Sequence, residues 1–441
     1  MRVSRYQRGY RFLPGTRAYL RDSILFAPLL GLGFGSLLAT IMINAEATLN
    51  DAGVETSNLF KNLGQGSQAA IGTMASAMLT FVGVVFSITL VALQMASNFT
   101  PRVVRLYVRS TITKLMFAQC LATFIYTLRV QKEVVGASGS DGTDAQNVSS
   151  YVAATVAMGM VVATLVLFVF YVNNTIRLMR VTYVIARVTN ETHRVLDYYL
   201  RAETKHEVTA ALAPQTDLIT FQGGTGVLRD IHLAGFVRNA RRADVTLRLL
   251  VRIGDPTIEG MPLLAVHGEA RQTTVALGWK RMVNKCVHSG QERSMAQDLS
   301  FGIRQLVDIA TKALSPAVND PTTAVQSLDR IQVLMRRLAV VDLSDAAYAD
   351  RRHRLRLVVP VPTWEELVAL AFTEIRVYGS GQPQVTRRLA AALDDLELVA
   401  QPGKAAALRE QRRQLTKSVL AKDSDEAARE FALTADPQGI R

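Results

Sequence analysis

Long uncharged runs crowd the first 172 residues of this chain and become scarce beyond them. Four of them approach or exceed the ~20 residues that span ~30 Å of hydrocarbon. They are SILFAPLLGLGFGSLLATIMINA at 23–45, a run over roughly 68–96, TKLMFAQCLATFIYTL at 113–128, and SYVAATVAMGMVVATLVLFVFYV at 150–172. The third is short and contains Gln119, so its length also suits a re-entrant or interfacial segment. The loops decide in favour of a crossing. Arg2, Arg5, Arg8, Arg11, Arg17 and Arg21 precede the first span, Arg102, Arg105, Arg109 and Lys114 follow the second, and Arg177, Arg180 and Arg187 follow the fourth. The other two loops carry Glu46, Asp51 and Glu55 against Lys61, and Glu133, Asp141 and Asp144 against Lys132. This alternation predicts four crossings with both termini in the cytoplasm, and it fails if any span is removed. Ala45-Glu46-Ala47 has the form of a signal cleavage site, but the preceding apolar run is too long, so an uncleaved anchor is expected.

The second span carries a row of small and polar residues. At 100° per residue, Gly72, Ser76, Thr80, Gly83, Ser87 and Gln94 share one narrow arc. Met74, Met78, Phe81, Val85, Ile88 and Ala92 form a lipid-like opposite side, interrupted by Thr89. Two readings stand. The row packs against another helix, with Gly31, Gly35 and Ala39 of the first span as a matching small surface. Alternatively it faces water inside an assembly and contacts a permeating ion or solute. Positions 68–96 would extend ~43 Å, so the helix must tilt or protrude. Beyond it, Pro101 disturbs the helix, and Arg102, Arg105 and Arg109 either anchor to lipid headgroups or form an electropositive inner mouth.

Composition sharpens this picture. The chain of 441 residues is 49% hydrophobic and 20% charged, more apolar than a typical soluble protein. More than half of the net charge of +13 lies in residues 1–200, where the positive-inside pattern accounts for it. With no zinc-finger spacing, RNA-binding consensus or basic zipper, nucleic acid is not an expected partner. Cys120 sits in a span and Cys286 beyond the spans, so neither a bridge between them nor a thiolate metal site is expected.

After the spans, 173–216 reads as a connecting helix that carries the chain away from the membrane, and 217–268 as a small β module. TGVLRDI, VTLRLLV, then Gly254-Asp255 and Gly260-Met261-Pro262, follow the order of a lipoyl-like barrel-sandwich hairpin without its modifiable lysine. The two glycines are expected in turns, and His232 and His267 are assigned no metal role. Residues 269–441 read as mainly helical. Asp320 is an expected N-cap with Pro321 at the first helical position. Asp298, Asp308, Asp320 and Asp329 lack the spacing of a calcium loop and are expected to cap helices or face solvent. Val385, Leu389, Leu393 and Leu396 form the inner stripe of a helix over 385–400. There is no phosphate-binding Gly-rich loop, no His-Glu-x-x-His and no Gly-x-Ser-x-Gly, so no enzyme activity and no cofactor are expected.

Several segments together carry a family likeness: SNFTPR at 97–102, GVLRDI with the hairpin after it, FGIRQLVDIATKALSPAVNDPTTAVQSLDRI at 301–331, and EIRVYGSGQPQV at 374–385. The chain resembles the bacterial predicted membrane proteins grouped as domain of unknown function twenty-two fifty-four, over nearly its whole length. The segment with Ser315, Pro316, Asn319, Asp320, Pro321 and Thr322 is the most specific part. The resemblance implies a bacterial inner-membrane protein with a cytoplasmic remainder, and brings no catalytic residues. The expectation is an α-helical, four-span, homo-oligomeric membrane protein with a cytoplasmic α+β domain. It would act as a channel or permeation protein or, in the alternative, as a membrane-anchored scaffold or sensor that binds a protein or small ligand.

Overall fold

The structure, a computed structural model, describes residues 23, 25–51, 58–99, 107, 110–137, 151–202, 212–269, 277–422 and 425–438. Its residues fall into two compact units that divide between Tyr183 and Val184.

Among the described residues the first unit holds four long helices: α1 (Phe26–Asp51), α2 (Asn58–Phe99), α3 (Thr111–Ala137) and α4 (Tyr151–Met179). Each is long and apolar enough to cross a membrane. The short third run is the middle of a helix whose apolar stretch, Thr111–Glu133, is 23 residues long, so no re-entrant geometry is needed. Met78 and Val85 of α2 pack with Met116, Cys120 and Tyr171, and Phe81 meets Phe168 edge-on at 4.9 Å.

One expected contact goes elsewhere. Gly31 and Gly35 meet α3 rather than α2. A Cβ on Gly31 would stand 2.2 Å from the Ala118 carbonyl oxygen, and one on Gly35 2.3 Å from that of Ala122. Small residues on both helices let two backbones touch, the usual basis of close packing where burial in lipid gives no hydrophobic gain. Arg129 pins the same pair, donating to the Ser36 carbonyl (3.0 Å), Ser36 Oγ (2.7 Å) and Thr40 Oγ1 (3.0 Å).

α5 (Val181–Ala202), set off from α4 by a break at Arg180, carries the chain into the second unit from Val184. Strands follow: β1 (Gln215–Thr220), β2 (Gly226–Ile231), β3 (Thr246–Leu249), β4 (Pro256–Thr257) and β5 (Pro262–His267), with α6 (Leu233–Ala243) between β2 and β3. Then come α7 (Leu277–Cys286), β6 (Val287–Gly290), α8 (Leu299–Ala313), α9 (Pro321–Ala339), β7 (Ala346–Ala349) and β8 (Leu355–Val359). The chain finishes with α10 (Trp364–Gly379), α11 (Pro383–Val399), α12 (Ala405–Lys422) and α13 (Glu426–Leu433).

No closed lipoyl-like barrel is formed among the described residues. The five-stranded sheet runs β1-β5-β3-β8-β7 and the three-stranded sheet β4-β2-β6. The edge of β3 that would have to close a barrel takes β8 instead, in parallel, with Leu247 opposite Leu357. Gly254 (φ +97°) and Gly260 (φ +84°) do hold turns, in a backbone region that side chains disfavour. Leu228, Phe236, Leu247, Leu264, Trp279 and Leu357 join in one core between the sheets, α6 and α7. In the helical part, Asp320 accepts from Thr323 N at 3.0 Å with Pro321 first in α9, and Val385, Leu389, Leu393 and Leu396 are buried along α11.

Candidate functional site

The polar row of α2 lies on the outside of the four-helix unit. Ser76, Thr80, Gly83, Ser87 and Gln94 are exposed, and Gly72 is half-buried beside Gln131. The side that reads as lipid-facing, with Met74, Met78, Val85 and Ala92, is buried among the chain's own helices. The hydroxyls bond within α2: Ser76 donates to the Gly72 carbonyl (3.1 Å), Thr80 to that of Ser76 (3.3 Å) and Ser87 to that of Gly83 (2.9 Å). Arg102, Arg105 and Arg109 lie outside the described residues.

A second set of polar groups is found inside the unit, one that wheel analysis of α2 alone passes over. Thr89, the residue that interrupted the apolar side, sits 2.7 Å from the Tyr171 hydroxyl of α4, and both reach the Val85 carbonyl. Higher on α3, Gln119 donates to Thr123 Oγ1 at 3.2 Å, and Thr123 meets Thr164 of α4 at 3.0 Å. These bonds tie α2, α3 and α4 together, the role expected of buried hydroxyls in membrane bundles. The signal in the sequence was the Gln119–Thr123 spacing of four, read together with Thr164. At one end of the unit, Asn174 Nδ2 donates to Ser110 Oγ at 3.1 Å.

In the second unit the Ser315–Thr322 segment is a tight turn between α8 and α9. Ser315 Oγ donates to the Lys312 carbonyl (2.7 Å), Asn319 N to the Ser315 carbonyl (2.9 Å) and Asp320 N to the Ala313 carbonyl (2.8 Å). Asn319 takes a left-handed conformation (φ 48°), tolerated by its short amide, and its Oδ1 accepts from Gln382 at 3.0 Å. Pro316 and Thr322 are exposed, Pro321 is half-buried, and Val318 at the tip is 47% exposed. Ser315 and Asp320 thus shape the turn, while Asn319 reaches across to Gln382.

The acidic residues are similarly occupied. Asp298 caps α8 through Phe301 N (2.9 Å) and is held by Arg293 (2.8 and 2.9 Å); burial raises its carboxyl above the ordinary range, opposed by Arg293. Asp308 pairs with Arg304 and Asp329 with Arg388. His232 and Cys286 both crowd the α-carbon of Gly235, and burial pushes the Cys286 thiol up to about 11, so it is no nucleophile at neutral pH. No cluster of His, Cys, Asp and Glu suited to a metal occurs among the described residues. Finally, α5 is clasped by its neighbours. Thr192 presses on Gly302, where a Cβ would stand 2.1 Å from its hydroxyl, and Arg337 of α9 donates to His193 Nδ1 (2.9 Å) and to Asp197 (2.6 Å).

Residues 21–395 match a family described as "Predicted membrane protein (DUF2254)". The chain is also similar to uncharacterized proteins of Mycobacterium bovis and Mycobacterium tuberculosis, 26% identical over 95% of this chain and 80% of each relative. No solved structure matches it.

Proposed function

This chain belongs to the DUF2254 family of predicted membrane proteins, and we propose that it is a homo-oligomeric inner-membrane permeation protein for ions or small solutes. Several copies surround a wet path lined by α2, with both termini and the α+β unit in the cytoplasm, where that unit regulates passage. The observation that supports this reading is that the polar row of α2 lies on the surface and is not packed inside the unit. In a lone bundle under lipid, the apolar side of a helix faces out and the small polar side packs in. Here Met74, Met78, Val85 and Ala92 are buried while Ser76, Thr80, Gly83 and Ser87 are on the surface, beside exposed Leu79, Phe86, Leu90 and Val91. Such a face is served better by a second copy or by water than by acyl chains. The reading assigns no catalysed reaction.

The test introduces cysteine at Ser76 or Thr80 in native membranes, against a low background because Cys120 and Cys286 are buried. Copies should cross-link through these positions, a water-soluble thiol reagent should reach them, and Thr80→Leu should reduce conductance in a reconstituted bilayer. Labelling only by lipid-soluble reagents, with no cross-links, sinks the proposal.

A second reading, a membrane-anchored scaffold or sensor, draws on the exposed Val318 at the tip of a turn whose polar groups are internally engaged. It expects Val318→Asp to abolish binding of a protein or small ligand, with Thr80→Leu leaving no flux to change.

A further inference from the structure

We infer that α6 and α7 together form a cationic face that binds anionic lipid headgroups at a bilayer surface. This rests on residence in a membrane and not on permeation. Neither helix, LAGFVRNARRA or LGWKRMVNKC, contains a carboxylate. Their inner sides, Phe236, Val237 and Ala240 on one and Trp279, Met282 and Val283 on the other, share one core. The outer sides expose Arg238, Arg241 and Arg242 on α6 and Lys280, Arg281 and Lys285 on α7. Spacings of three and four keep the cations of each helix on one face. Cys286 at the end of α7 packs against Gly235 of α6, which sets the two helices side by side.

These six cations are left without an ion pair or side-chain hydrogen bond among the described residues. Several other arginines of the unit do hold a carboxylate, among them Arg248, Arg252, Arg293, Arg304 and Arg337. The carboxylate at the edge of the face, Asp244, is already engaged by Arg356 at 2.7 Å and Arg354 at 3.7 Å. Six like charges with no paired carboxylate among the described residues raise the local potential and attract anions. The cations are spread over two helices and do not converge on one point, which suits an array of headgroups better than a single phosphate. Nucleic acid is disfavoured because the aromatic rings of these helices, Phe236 and Trp279, are buried and offer no stacking surface. The same chain also carries four apolar helices long enough to cross a membrane, so lipid is a surface that the protein meets.

The test uses the full-length protein in nanodiscs of phosphatidylcholine alone or mixed with phosphatidylglycerol. Hydrogen exchange is followed at 233–243 and 277–286. Both helices should be protected in the anionic discs, and each Arg→Gln or Lys→Gln change among the six should weaken that protection about fivefold. Arg→Lys should preserve it, and salt that shortens the screening length to ~3 Å should remove it. Equal exchange in the two lipids overturns the inference, whether or not the Gln variants fold. So does protection that appears in neutral discs only when a single-stranded oligonucleotide is added.

Discussion

Asp320 stands at the join of α8 and α9, and its two oxygens do different work. One accepts from Thr323 N, the other from Thr323 Oγ1. Asp320→Ala should cost about 1 kcal/mol in denaturant unfolding, and Asp320→Asn far less, since an amide oxygen still caps. A pH effect is expected at His193. Burial, then the Arg337 guanidinium, holds its pKa below the ordinary 6.5. Asp197 opposes that shift from the same helix. The folded state therefore binds this proton more weakly than the unfolded state. The stability that neutral His193 contributes is complete above ~6.5 and is lost as the pH falls from there through the lowered folded-state value. A melting curve recorded between pH 7 and pH 5 should steepen downwards in the wild type and flatten in His193→Gln.

At the level of elements, the contact of α1 with α3 makes a sharp demand. Gly35→Leu should destabilise the four-helix unit by ~1–3 kcal/mol because backbone on α3 cannot give way. Gly33→Leu, two residues away, meets nothing within 4 Å and should leave the melt in detergent unchanged. That contact also marks the boundary of what the sequence disclosed. Four helices, the cap at Asp320 and the inner stripe of α11 were legible because each depends on local chain chemistry: run length, one carboxylate, one period. The neighbour of each helix was not legible, because lipid and helix interior are both apolar and a wheel cannot tell them apart. Met78 and Val85 read as lipid-facing on that account, and Thr89 as a blemish, when all three are buried. The sheet failed for another reason. β3 pairs with β8 more than a hundred residues downstream, and no local pattern encodes such a partner. The motif around Asn319 was conspicuous in sequence, yet Ser315 and Asp320 serve the turn and Asn319 meets Gln382.

Across the whole molecule the membrane-type helices and the α+β unit follow one another along the chain, with α5 starting two residues after α4 ends. Within the second unit α5 is secured at Thr192 and His193, so it is part of that unit's framework. Arg337→Ala should raise hydrogen exchange a few-fold along 184–202, as the loss of a partly exposed ion pair allows, and little elsewhere. The surface of α2 carries a consequence of its own. Each hydroxyl there owns a single proton and has given it to the carbonyl one turn back, at Gly72, Ser76 and Gly83. What it turns outward is lone pairs alone. While those three bonds hold, a neighbour that bonds to this stripe supplies the hydrogen itself or carries positive charge, and an anion finds no donor on these three side chains.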